Sequence, residues 1–123
     1  MQAPATTEYQ LSYTGQWLSL NKIYGMNRHV AAKLKKEWQG TFTQMFAEAG
    51  IKPLATFSLT LRYWSRIDAD GTVAGLKVLI DSLRYAGLIA NDDKRYFRGF
   101  TVIPDATLTH NQYEVTIRGE SLA

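Results

Sequence analysis

The chain has 123 residues, 46% hydrophobic and 20% charged, with a formal net charge of +3 and no cysteine. That length supports one domain with a modest core, the missing cysteines exclude disulfides and thiol catalysis, and no apolar run of about 18 residues is present to span a membrane. The small positive balance tilts only weakly toward polyanions, so the placement of charge says more than its sum.

In chain order, residues 1–7 lack both the basic start and the apolar stretch of a secretory signal and read as a loose end. With the absence of cysteine this fits a cytoplasmic protein. Tyr9, Leu11 and Tyr13 alternate with polar residues, a short strand closed by Gly15. Trp17 to Gly25 is irregular. Asn27 is placed to cap a helix beginning at Arg28, whose apolar stripe is Ala31, Leu34, Trp38, Phe42, Met45 and Ala49. Gly50 ends it, with Pro53 shortly beyond. Phe57, Leu59, Leu61 and Tyr63 alternate with Thr56, Ser58, Thr60 and Arg62, the clearest strand of the chain. A second helix is expected from about Thr72 to Ala86, with Val73, Leu76, Leu79, Ile80 and Leu83 inward and Gly87 as its left-handed cap. Asn91-Asp92-Asp93 is a turn, Tyr96 to Ile103 a strand, and Gln112 to Ile117 a last strand. The order β-α-β-α-β-β predicts an α+β domain over residues 1–123, one mixed sheet with two helices packed on it.

The segment from Asp68 to Asp93 carries the chemistry. Asp68, Asp70, Asp81, Asp92 and Asp93 are five of the eleven acidic residues. Read as extended, Asp68 and Asp70 point the same way with Cα atoms roughly 7 Å apart. Like charges about 4 Å apart cost about 4 kcal/mol at an effective dielectric of 20, which a proton, a basic partner or a divalent cation relieves. Carboxylate oxygens suit hard cations such as magnesium or manganese. A crossover helix is expected to bring the two acid pairs to one edge of the sheet. Basic residues flank them: Arg28, His29, Lys33, Lys35 and Lys36 on one side, and Lys94, Arg95 and Arg98 on the other. The plainer readings stay open. Asp-x-Asp and Asp-Asp also make turns, Lys77 pairs at i, i+4 with Asp81, and charge clusters are often solvated surface. The two histidines, His29 and His110, show no metal-ligand spacing.

The run Arg66-Ile67-Asp68-Ala69-Asp70-Gly71, continuing through Lys77, Asp81-Ser82-Leu83 and Ala86-Gly87 to Asn91-Asp92-Asp93, resembles the signature of the RusA family of Holliday junction resolvases. Ser19, Asn21 and Tyr24 resemble that family's early serine–asparagine–tyrosine motif. The resemblance covers roughly residues 8 to 118 and is most specific from Lys77 to Asp93. One departure is Gly71, where the family has an asparagine that orders the turn.

The resemblance implies a RusA-like fold and a magnesium-dependent endonuclease, with manganese as a possible substitute. It implies a homodimer cutting four-way-junction DNA in recombination and repair, in a bacterial or phage-infected cell. By matched position, Asp68, Asp70 and Asp93 are metal ligands and catalytic acids, Lys77 is the basic catalytic residue, and Asp92 and Asp81 support them. The matched motif and the flanking charge make Asn21, Tyr24, Arg28, His29, Lys33, Lys36 and Arg66 the DNA contacts. Two rivals stand beside this reading: a non-catalytic nucleic-acid-binding protein, and a metal-dependent nuclease with broader branched-DNA substrates.

Overall fold

The computed structural model describes residues 6–18, 27–67 and 69–122, with side chains described throughout these ranges except at residues 69–71. Its elements are β1 (Thr6–Thr14), α1 (Arg28–Ala49), β2 (Leu54–Trp64), α2 (Ala69–Tyr85), β3 (Phe97–Pro104) and β4 (Gln112–Ser121). The four strands form one mixed sheet in the order β1-β4-β2-β3. This is the expected α+β architecture and element order. No helix among the described residues is long and apolar enough to cross a membrane.

The pairing sense fixes the strand directions. β4 is antiparallel to both β1 and β2, and β3 is parallel to β2. So β1, β2 and β3 all run one way, and β4 alone runs back. Leu11 pairs with Val115, Val115 with Leu61, and Leu61 with Val102, one apolar row across the whole sheet. The period-2 alternation puts this row and the rows beside it on a single face. Both helices pack there, and Phe42, Phe46, Leu76, Leu79 and Leu83 join Phe57, Leu59, Leu61 and Ile117 in the buried core. Burying each such side chain contributes about 1.5–3 kcal/mol relative to exposure. The opposite face is mostly polar, with Ser12, Glu114 and Arg62 in one cross-strand row that ends at the exposed Ile103.

Helix α1 begins and ends as its sequence predicts. Asn27 Oδ1 accepts the His29 N–H at 2.8 Å, and Gly50 sits at φ 67° with its N–H donated to the Ala47 carbonyl. Helix α2 closes the same way. Gly87, at φ 76°, donates to the Arg84 carbonyl, and Leu88 to that of Leu83.

Three boundaries differ from expectation by more than a residue in ways that bear on the site or the sheet. Thr6 and Thr7 are paired strand residues opposite Glu120 and Gly119, so the loose end does not reach residue 7. β4 runs on through Ser121, four residues beyond Ile117. Helix α2 starts at Ala69, which takes Asp70 out of the extended conformation and into the first helical turn. The physical reason is that an aspartate is favoured at a helix start, where unpaired N–H groups and the positive end of the helix dipole meet it. The same-side arrangement expected of an extended Asp68-Ala69-Asp70 therefore does not hold.

Candidate functional site

Because β1, β2 and β3 point the same way, the segments that follow them leave from one edge of the sheet. They are Gly15–Leu18 after β1, Ser65–Ile67 after β2, and the loop from Asp105 to Asn111 after β3. In open α/β sheets this carboxyl edge is where ligands characteristically bind. A cavity of about 470 Å³ opens here, with Arg66 and Ser65 on one side and His110 and Asn111 on another.

The floor of this edge is aromatic. Tyr13, Tyr113 and Tyr63 form the last inward row of the sheet. Trp17 stacks on Tyr113 with ring centroids 4.7 Å apart and 14° between planes, and meets Trp38 and Phe42 edge-on. Its Nε1–H donates to the Thr72 carbonyl at 3.1 Å, which ties the segment after β1 to the first turns of α2. The Tyr113 hydroxyl donates to Ser65 Oγ at 2.8 Å. Burial pushes the Tyr113 and Tyr13 hydroxyls above their usual pKa, so both stay protonated across the neutral range.

The loop after β3 is pinned at both of its ends. Asn111, at φ 61°, donates its N–H to the Trp64 carbonyl at 2.7 Å and accepts the Gly15 N–H at 2.9 Å. Asp105 accepts from Thr107 and pairs with Arg62 Nη1 at 2.8 Å. The Thr107 hydrogen bonds, and then Arg62, hold the Asp105 carboxyl below the usual carboxylate range. A folded-state pKa that is lowered contributes stability above the unfolded value, about 3.9, and loses it as pH falls through the folded value. Asp105→Asn is expected to melt below wild type at pH 7, with the gap closing in strong acid. Melting curves at pH 7 and pH 2.5 check this, and an equal gap at both would remove the charge from the account.

The structure divides the expected site residues. Asp68, Asn21 and Tyr24 lie outside the described residues. Asp70 begins α2 at the carboxyl edge, and its carboxylate is likewise not described. Arg66 is exposed at the cavity. Arg28 and His29 open α1, and Lys33 and Lys36 are exposed along it. Lys77 and Asp81 are both exposed on α2, but no ion pair joins them, so the i, i+4 pairing does not form. Asp81 instead faces the groove between the helices, near Lys35 and Lys36.

Asp92 and Asp93 go elsewhere. Asp93 accepts the N–H groups of Tyr96 and Phe97 on its carbonyl, and Tyr96 in turn accepts from Phe57, near the beginning of β2. This is the amino edge of the parallel pair. The 17 residues of α2 separate the two edges, a span of about 25 Å. The expectation that a crossover helix unites both acid pairs is corrected by this direction. A parallel crossover returns the chain to the start of the next strand, not to the end of the previous one. Asp93 is also engaged, with Arg95 Nε at 3.1 Å and Nη2 at 2.8 Å from its carboxylate. That guanidinium holds its carboxyl below the usual range.

Among the described residues, no group of three histidine, aspartate or glutamate side chains is placed to hold a metal ion. Within one chain, Asp93 sits a helix length from the Asp70 backbone, so these two do not share a single cation. Sequence reasoning also passed over Ser65, His110 and Asn111. Thr109-His110-Asn111 is recognisable as a turn, but its position near Arg66 follows from β4 pairing antiparallel with β2, Gln112 against Trp64. Comparison with known proteins finds no family model that matches the chain and no curated protein that matches it.

Proposed function

We propose that the chain is a structure-selective endodeoxyribonuclease that cuts four-way DNA junctions as a homodimer, with magnesium as its cofactor and manganese as a substitute. The observation that carries this reading is the placement of the Arg66–Asp70 run. It passes from the end of β2 into the start of α2, beside an open polar cavity and on the edge where α1 begins its basic face. Arg28, His29, Lys33, Lys36 and Arg66 are the proposed phosphate contacts, positioning the strand without reading its sequence. Asn21 and Tyr24 belong to the segment that leads into this face. Lys77, exposed two helical turns beyond Asp70, is proposed to meet a phosphate of the same strand.

The dimer is part of the proposal for a geometric reason. Asp93 stands a helix length from the Asp70 backbone within a chain, and the proposed two-fold axis is one that sets the amino edge of one copy against the carboxyl edge of the other. The carboxylate set for the cation is then Asp68 and Asp70 of one chain with Asp93 of its partner. The separation of the acids and the Arg95 pairing of Asp93 also favour the rival of a non-catalytic nucleic-acid-binding protein.

The test is a synthetic immobile four-way junction incubated with the purified protein, with and without magnesium. Expected are magnesium-dependent nicks at symmetric positions in two opposing strands, with linear duplex left intact. Binding without cutting selects the non-catalytic rival, and equal cutting of flaps and three-way branches selects the broader nuclease.

A further inference from the structure

The cavity at the carboxyl edge is lined by donors. Arg66 and His110 are exposed, and among the described residues neither has a carboxylate within ion-pairing distance. Ser65 Oγ accepts two hydrogen bonds, from the Tyr113 hydroxyl at 2.8 Å and from the Ile67 N–H at 3.3 Å. A hydroxyl has two acceptor positions and one hydrogen, so Ser65 has its hydrogen left to give. The amides of Gln16 and Asn111 add further donors, and no described carboxylate lines the space. The wall that carries His110 is fixed against the wall that carries Arg66, because the Asn111 backbone is bonded to both Trp64 and Gly15. A preorganised donor wall with a permanent guanidinium charge suits the oxygens of a phosphate, which arginine engages in a planar two-point fork. At about 470 Å³ the space exceeds a bare phosphate and admits a nucleotide unit.

We infer that this cavity binds one phosphodiester of a DNA strand, gripped by Arg66 and His110 with the Ser65 hydroxyl as a third donor. The inference deepens the junction-nuclease reading and rests on it for the nature of the polymer. His110 is its new element. A phosphate held here fixes the register of the strand against the start of α2, which makes His110 a positioning residue for whatever happens there.

Backbone amide shifts of labelled protein test this during titration with three probes. These are a thymidine tetranucleotide, its uncharged methylphosphonate analogue, and inorganic phosphate. The tetranucleotide is expected to shift Ser65 to Ile67 and His110 to Asn111, the analogue to leave them unmoved, and inorganic phosphate to bind at least tenfold more weakly. His110→Ala is expected to weaken tetranucleotide binding about tenfold, the size of one hydrogen bond to a charged group. Arg66→Ala should flatten the salt dependence by roughly 0.7 in log–log slope, one single-strand phosphate contact, because its guanidinium is always charged. His110→Lys restores the affinity, and Ser65→Ala weakens binding less. Melting temperatures of the His110 variants stay at the wild-type value, since His110 is exposed.

Shifts confined to other surfaces, wild-type affinity in His110→Ala, or a wild-type slope in Arg66→Ala overturn the inference. Inorganic phosphate binding as tightly as the tetranucleotide makes this a free-anion site and overturns it too. The junction-cleavage assay separates this from the nuclease reading. Cavity binding without cleavage removes the enzyme and leaves the site, and cleavage without cavity shifts does the reverse.

Discussion

Gly75→Ala is expected to destabilise the fold by about 3 kcal/mol, although alanine is ordinarily better than glycine in a helix by about 1 kcal/mol. Gly75 is buried in α2 against Trp17, and a Cβ there would overlap the indole Nε1 and Cε2, with Cζ2 at 2.9 Å. The indole cannot step back cheaply. Its N–H is bonded to the Thr72 carbonyl, one of its faces is stacked on Tyr113, and Trp38 and Phe42 press against it. Moving it leaves a buried N–H unpaired, at about 1–3 kcal/mol, and opens the aromatic floor of the carboxyl edge. For a domain of this size the loss lowers Tm by roughly ten degrees. Gly40→Ala is the control. Nothing lies within 4 Å of its added Cβ on the exposed side of α1, so it should gain up to about 1 kcal/mol. Urea unfolding of both variants reads the result, and a Gly75→Ala protein as stable as wild type would mean that Trp17 is not anchored as described.

Much of the frame was legible locally. The alternation in β2, the Asn27 cap and the Gly50 and Gly87 closures each need only a few neighbouring residues, and the structure reproduces them. The start of α2 was ambiguous because an aspartate preceding an apolar stripe serves an extended turn and a first helical turn equally well. The course of the sheet could not be seen at all. β4 lies between β1 and β2, and both pairings join residues far apart in sequence. That long-range arrangement decides the site. It brings His110 opposite Arg66, which no spacing announces, and it sends Asp93 to the far edge, against the expectation of a single acid cluster.

That separation gives the second large effect. Asp70→Asn and Asp93→Asn are each expected to abolish junction nicking while leaving junction binding in place, because basic side chains supply the phosphate contacts. Mixed so that subunits exchange, the two inactive proteins are expected to recover about a quarter of wild-type nicking. The arithmetic follows from composite sites. Half of the randomly paired dimers carry one substitution in each chain. In such a dimer one site holds both altered residues, and the other holds the intact Asp70 of one chain and the intact Asp93 of its partner. Sites built within single chains would leave every site one acid short, and the mixture would stay inactive. The Arg95 pairing of Asp93 is no obstacle. Solvent-exposed ion pairs contribute little, so the carboxylate can be handed to a new partner at small cost. Arg95→Ala should accordingly leave nicking within a few-fold of wild type. Native mass spectrometry establishes that mixed dimers have formed. If they form, bind the junction and do not cut it, Asp93 does not complete the site of a partner chain, and the proposed dimeric carboxylate set falls with that result.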